Sequence, residues 1–419
     1  DFVANKEDGY GVDWPIRYKD LAPWYDYVEN YIGVSGENLN LNQFPNQKLL
    51  KPMELNCVEK VLQNSISEKY SNRHMTIGRV AHITEGTKPG LGRLNCQFRN
   101  RCRRGCPFGA YFSSNSSTLP AAEATGNMTL RTNSIVYEVI YDELNKRATG
   151  VKIIDSESNL TYEFKAKIIF MCASTVPTTS ILMQSKSNRF PNGLGNDSGE
   201  LGHNIMDHHF QIGADATYDG FEDKYYTGRR PNGIYIPRFQ NIGGKTKNTN
   251  FLRGYGYQGG ASRTDWTKYV KEASYGEKLK QAVIRPGEWT MGLNGFGEVL
   301  PYHDNKIFLD YNKTDKWGLP TVTFDAKLRE NELNMRKDMQ LQAMEMLDNA
   351  GFDKVKIIAS SGFGPEKCKV FALANVPVDV VGTGSYLPSK WSETYATADI
   401  ISYGGKSQVK IGREFLLKR

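Results

Sequence analysis

The chain has 419 residues, 39% of them apolar and 24% charged, with 40 glycines and 17 prolines. That length predicts two or three domains with ample material for a buried core, and the composition is that of a soluble globular protein. A net charge of +7 with no Lys/Arg-rich arm and no zinc-finger spacing argues against a nucleic-acid partner, and no apolar run reaches the roughly 18 residues needed to span a bilayer.

From the N-terminus, Asp1-Phe-Val opens without a charged and then apolar leader, so no intact signal peptide is expected in these residues. The compartment, periplasmic or cytoplasmic, stays open. Asp20 is placed to N-cap a helix with Pro23 close to its start. Tyr25, Val28 and Ile32 recur at helical spacing before Gly33 as the stop. Residues 37–55 read as loop, and a second helix is expected over Met53–Lys69. Residues 86–122 carry Lys88, Arg93, Arg99, Arg101, Arg103 and Arg104 but no acid. From Asn127 the pattern turns to strands: 128–131, 135–141, 150–154 and 162–170, the last running into an apolar stretch from Ile168 to Cys172. A helix over Pro177–Gln184 completes a strand–turn–helix unit. Residues 206–325 are dense in Gly and Tyr and alternate, for instance over 233–237 and 306–310, which predicts an antiparallel sheet. The chain's best amphipathic helix is expected over 328–350, with Met335, Met339, Ala343 and Leu347 at i, i+4 and Gly351 as the C′ residue.

Six cysteines stand at 57, 96, 102, 106, 172 and 368. The cluster Cys96-x5-Cys102-x3-Cys106 matches neither the common zinc nor the common iron–sulfur spacings, and a fourth ligand is missing, His82 being the nearest histidine. No metal site is expected; free thiols or one local disulfide are.

Several strings in residues 1–350 resemble the glucose–methanol–choline family of FAD-dependent oxidoreductases. They are Gly11-Val-Asp-Trp-Pro-Ile-Arg-Tyr18, Cys102-x3-Cys-Pro-Phe-Gly-Ala110, Asn127-Met-Thr-Leu-Arg131 with Val136, Ala173-Ser174, and Gly202-His-Asn-Ile-Met-Asp-His208. The resemblance implies that the backbone of Val136 contacts the flavin's adenine and that Ala173 and Ser174 form a tight turn near phosphate or ribose. It also implies that Cys106 and Gly109 lie beside the isoalloxazine ring, where neighbouring guanidinium groups favour thiolate and attract anions. Plain structural roles stand beside these: a buried strand residue, an ordinary βα corner, a solvated basic loop. His208 is the candidate catalytic base by residue type, taking a hydroxyl proton while hydride passes to flavin. In the resembling family, however, this Asp-His pair belongs to a structural turn, and the reacting histidine comes from elsewhere. No Gly-x-Gly-x-x-Gly follows a strand, since Lys88-Pro-Gly-Leu-Gly92 is too short and precedes no helix. The family's catalytic His segment is also not found.

Residues 354–419 read differently. The strings Ala359-Ser-Ser-Gly-Phe-Gly-Pro-Glu-Lys367 and Pro377-Val-Asp-Val-Val-Gly-Thr-Gly-Ser385 resemble the C-terminal part of nicotinate phosphoribosyltransferases. By that resemblance Ser361, Gly362, Gly382 and Gly384 contact the phosphate of a ribose 5-phosphate moiety, as in the last loops of a (β/α)8 barrel.

The expected architecture is therefore α+β with α/β character. An incomplete Rossmann-like FAD domain covers 1–205, an antiparallel-sheet substrate domain with its amphipathic helix covers 206–350, and a short βαβ tail resembling the end of a TIM-type barrel covers 351–419. The leading functional expectation is a flavin-dependent oxidoreductase acting on CH–OH donors (sugar, polyol or alcohol) with FAD as cofactor. The segments not found predict weak FAD retention and no turnover by this chain alone. A partner subunit for electron transfer is expected with it. The alternatives are pyridine-nucleotide salvage through the tail and a carbohydrate-binding module that holds sugar on the aromatic faces of 206–325.

Overall fold

In chain order the main elements of the first part are α1 (Tyr18–Ile32), α2 (Cys57–Lys69), β1 (Thr76–Ile77), β2 (Ser134–Asp142), β3 (Arg147–Asp155), β4 (Thr161–Lys165), α3 (Thr175–Gln184), β5 (Ile212–Tyr218), β6 (Ile234–Ile236), β7 (Tyr255–Arg263), β8 (Trp289–Gly297), β9 (Lys306–Thr314), β10 (Pro320–Asp325), α4 (Glu330–Asn349) and β11 (Asp353–Lys356). A computed structural model describes residues 2–99, 102–209, 212–224, 233–263, 276–284, 287–356, 358–359, 364–373, 380–381, 402–403 and 406–407. The chain divides into two units, Asp1–Val355 and Lys356–Arg419.

The first unit is organised on a six-stranded sheet in the order β11-β5-β8-β7-β6-β1. Period-two alternation gives it one dry face and one wet face. Ala214, Ala216, Ile234, Ile236, Tyr255, Tyr257, Trp289, Met291 and Leu293 turn inward. Against them lie Val58, Leu62 and Ile66 of α2 and Met335, Met339, Ala343, Met346 and Leu347 of α4, the 3.6-residue stripe expected from the sequence. Gly351, at φ 75, ends α4 by donating its N–H to Asp348 O at 3.0 Å.

Both helices begin with a capping box whose glutamate is buried and also reaches the sheet region. Glu59 accepts from Asn56 N at 2.9 Å and from Ala261 N at 3.1 Å. Glu332 accepts from Arg329 N at 3.0 Å, from Leu300 N at 3.2 Å and from the Tyr302 hydroxyl at 3.1 Å. A buried carboxylate is tolerable only when its lone pairs are filled in this way.

A three-stranded antiparallel meander, β2-β3-β4, carries α3 on one side. Ser185 at the end of α3 ties the two together, accepting from Val139 N at 2.8 Å and donating to Ile181 O at 2.6 Å. The β3–β4 turn is set by Asp155, which accepts from Glu157 N and Ser158 N and pairs with Arg131 at 2.7 Å. Those amide donors and the guanidinium hold its carboxyl down to about 2.

Several expectations are corrected. Residues 128–131 form no strand. The strand expected over 162–170 ends at Lys165, and the apolar run beyond it is not buried: Ile168 is 70% exposed and Phe170 82%. Local β propensity is present there, but no strand among the described residues pairs it. In α1, Asp20 sits at N3 rather than at the N-cap, accepting from Arg17 N at 2.8 Å, and Pro23 falls inside the helix. The α1 stripe is not core, since Tyr25 and Val28 lie exposed. The tail expected from residue 351 on begins with β11, which borders β5 in the main sheet.

In the second unit, β12 (Ile358–Ala359) and β13 (Val380–Val381) pair in parallel, with α5 (Pro365–Leu373) between them in the chain. Pro365 occupies the first turn, where its missing N–H costs nothing.

Candidate functional site

The corner before α3 is the most strained point in this part of the chain. Ser174 adopts φ 69, ψ 171 as N-cap residue and makes no side-chain cap to the helix. Backbone in that region is essentially restricted to glycine and costs a side-chain-bearing residue about 1–3 kcal/mol. The orphan N–H groups of the first turn of α3 are therefore left without a side-chain acceptor from Ser174. Ala173 is exposed beside it. Val136 lies on β2, an edge strand of the meander, just before a register shift between Val136 and Glu138. Because α3 packs on β2, the structure brings Val136 and Ser174 into one substructure.

A second cluster surrounds Arg93, which is 2% exposed. Its Nε donates to Gly109 O at 2.8 Å, Nη1 to Ser117 Oγ at 3.1 Å and Nη2 to Ile32 O at 3.0 Å. These partners are neutral, and desolvation pulls the guanidinium below its ordinary range. Gly109, at φ 56, closes a turn on Cys106 by donating to its carbonyl at 3.0 Å. Ile83 N donates to Ala110 O, and Leu94 N to Phe108 O, so the Phe108–Ala110 end of the loop is stitched down. None of the six cysteines forms a disulfide. Burial pushes the Cys96 thiol up.

The turn from Gly202 to His209 is bound to the end of the sheet. Ile307 N donates to Gly202 O, Ile205 N to Asn305 O, and His209 N to Gly297 O. Its histidines diverge. His203 stacks on His303 with centroids 4.1 Å apart and contacts His303 O through Nδ1 at 2.7 Å. His208 is exposed with its ring edge-on to Phe296 at 6.4 Å. Asp207 accepts from the His208 backbone N–H at 2.7 Å. His209 is 1% exposed, with neither ring nitrogen hydrogen-bonded. Burial first, then the nearby Arg336 charge, lowers its pKa to about 4. No acid–base pair forms from this cluster among the described residues.

The wet face of the six-stranded sheet went unremarked in the sequence. Asp215, Gln258 and Asn294 point outward and are exposed, with Thr217, Ser262, Thr290, Phe296 and Tyr235 half-buried around them. The readable signal is the alternation Gly213-Ala-Asp-Ala-Thr217, which separates an apolar from a polar face. The same alternation takes three of the aromatics expected to hold a sugar out of reach: Trp289, Tyr255 and Tyr257 lie in the core. They sit on the inward phase of their strands, where large aromatic area is best buried.

Among the described residues, no group of three or more His, Cys, Asp or Glu side chains converges as a metal would require. None of their helices is long and apolar enough to cross a membrane. Ser361, Gly362, Gly382 and Gly384 lie outside the described residues.

Residues 92–210 match the GMC oxidoreductase family. The chain is 24% identical to 2-methyl-1,2-propanediol dehydrogenase of Mycolicibacterium austroafricanum, over 97% of this chain and 72% of that protein. The coverage carries that likeness past Gly351. It is 24% identical to the fructose dehydrogenase large subunit of Gluconobacter japonicus, over 78% of this chain and 59% of that protein. With paromamine 6'-oxidase of Streptomyces fradiae it shares 26% identity over 47% of this chain and 35% of that protein.

Proposed function

This chain is a member of the GMC oxidoreductase family, and from that premise we propose that it holds FAD and takes part in oxidising a CH–OH donor of the polyol or sugar class. The observation that carries the reading is Ser174. A strained backbone at a helix N-terminus, its first-turn N–H groups uncapped by that side chain, is the arrangement that accepts phosphate or ribose oxygens. The residues present fit the cofactor at two further points. Val136 lies on an edge strand, where backbone groups are free to meet an adenine edge, and Arg93 fixes Gly109 and with it the Cys102–Ala110 loop.

When bound, the flavin ring supplies the hydride-accepting chemistry. The chain's own residues would position it and the donor. Arg93 holds the Cys106–Gly109 turn through the Gly109 carbonyl, and burial of its guanidinium keeps that contact dry. The donor is assigned to the wet face of the sheet, where neutral hydrogen-bonding side chains surround Asp215. The diol and sugar named in two relatives support the donor class. The large-subunit relative supports an electron-accepting partner subunit.

The test is FAD titration of the purified chain, followed by anaerobic addition of a polyol. A saturable shift of the flavin spectrum, weakened by Ser174→Val and bleached by the polyol, is the expected result. Free-flavin spectra at every protein concentration would overturn the reading.

A second reading concerns the tail. The parallel pairing of Ile358 with Val380 and Ala359 with Val381 is the βαβ geometry that a phosphate-holding loop pair requires, which supports a role in binding a phosphoribosyl group. Thermal stabilisation by inorganic phosphate that disappears in Gly382→Val is its expected signature.

A further inference from the structure

The meander β2-β3-β4 ends in β4, whose outer side no strand among the described residues borders and whose five residues are all exposed. This edge lies across the sheet from β2, the edge assigned to adenine. Its hydrogen-bonding phase is fixed by two contacts at its ends: Asp155 N donates to Leu160 O, and Ala166 N to Thr149 O. Tyr162 and Phe164 therefore turn their N–H and C=O toward β3, while Thr161, Glu163 and Lys165 turn theirs outward. An open row of this kind is a template for another strand unless proline, a bulge or repelling charge blunts it. β4 has neither a proline nor a bulge, and its two charges are of opposite sign, which decides what can add to it.

The side chains divide by phase. Tyr162 (41% exposed) and Phe164 (45%) continue the buried side of the meander, where Val136, Ile153 and Tyr162 are in register, as are Val139, Val151 and Phe164. On the other side register sets Glu138, Lys152 and Glu163 in one row. Lys152 Nζ meets Glu138 Oε1 at 2.8 Å, and Lys165 Nζ reaches Glu163 Oε2 at 3.4 Å. A second β4 laid antiparallel against this edge exchanges hydrogen bonds only through outward-turned residues, so odd positions must oppose odd positions. A two-fold axis at Glu163 sets that carboxylate against itself. An axis at Phe164 sets Glu163 of each copy against Lys165 of the other, Phe164 against Phe164, and Tyr162 against Ala166. Like charges directly opposite destabilise a strand pair, whereas opposite charges and aromatic pairs stabilise it. The second register is therefore selected. It prolongs the charged row with alternating sign and joins the two apolar rows through the Phe164 pair. One step beyond β4 it brings exposed Leu160 toward exposed Ile168 of the second copy.

We propose that β4 is a homodimerisation edge, through which two copies of this chain join antiparallel about a two-fold axis at Phe164 and merge their meanders into one continuous sheet. Neither flavin nor alcohol takes part, so the outcome is independent of the oxidoreductase reading. A single pair of strands belongs with the small interfaces, below roughly 1,200 Å², and such a dimer forms and dissociates with concentration. Sedimentation equilibrium of the purified full chain at low salt reads it. The average mass should rise with concentration toward twice that of the chain. Glu163→Lys and Lys165→Glu each set two like-charge pairs across the axis and should each weaken association by at least about tenfold. An equimolar mixture of the two variants should regain wild-type association, because each then answers the other's charges, while circular dichroism of both stays as in wild type. A chain that is monomeric at every concentration overturns the inference and leaves the edge to a strand of a different protein. A dimer indifferent to both substitutions overturns it as well, and so do weakened variants that fail to recover on mixing.

Discussion

Acidification should destabilise the first unit through His209, and the size of the effect follows from its surroundings. The imidazole is packed against Gly297, whose missing side chain leaves room for Met335, Met339 and the ring. Arg336 disfavours a second positive charge there, while Glu332 gives partial compensation. Its folded pKa is about 4, against about 6.5 in the unfolded chain. Above pH 6.5 both states are neutral and the group does not affect stability. As pH falls from 6.5 to 4, the unfolded chain takes a proton that the folded chain refuses, so stability declines through that window and levels off below it. The difference of about 2.5 units corresponds to roughly 3 kcal/mol. Urea denaturation at a series of pH values between 7.5 and 4 measures it, on wild type and on His209→Leu, which is close in volume and carries no proton. The wild type should lose about 3 kcal/mol more than the variant across the window. Parallel pH profiles for the two proteins would show that His209 is not the group responsible.

Three further outcomes follow from the packing. Ser174→Gly should raise the thermal midpoint, because relief of its φ 69, ψ 171 backbone recovers about 1 kcal/mol, while Ser174→Val should lower it. Ser185→Ala removes the acceptor of the Val139 amide and should cost about 1–3 kcal/mol in urea unfolding, with Ser185→Thr closer to wild type. Glu332→Ala strips the acceptor from Arg329 N, Leu300 N and the Tyr302 hydroxyl at once and should cost about 3 kcal/mol or more, with Glu332→Gln intermediate.

What could be read from the sequence was what local physics determines. The stripe Met335, Met339, Ala343 and Leu347 and its glycine stop are written in a 3.6-residue period, and α4 forms as that period requires. The strands around 135–141 and 150–154 pair as their β-branched composition and the Asn/Gly/Ser punctuation indicate. Burial was less legible, because it depends on what a segment meets. Ile168 to Cys172 has the composition of a core strand, yet Ile168 and Phe170 lie exposed, and so do Tyr25 and Val28 of the apolar stripe of α1. The aromatic residues of the middle region were read by type, whereas strand phase decides that Trp289 and Tyr257 face inward and Asp215 outward. Among the site residues, Val136 and Ser174 fall in one substructure. The strain at Ser174 is invisible without dihedral angles. The histidine run offered a tempting cluster that backbone geometry spreads apart.

The buried glutamates at the starts of α2 and α4 have a kinetic consequence. Each carboxylate serves its own helix and also an amide outside it, Ala261 for Glu59 and Leu300 for Glu332. Fraying the first turn of either helix therefore strands a donor elsewhere, and releasing that donor uncaps the helix. Local opening is then suppressed at both ends of the contact, so the amides of Ala261 and Leu300 should exchange with solvent on the timescale of their helices rather than of a surface strand or loop. The helices and the sheet they cover are in this way made to open together.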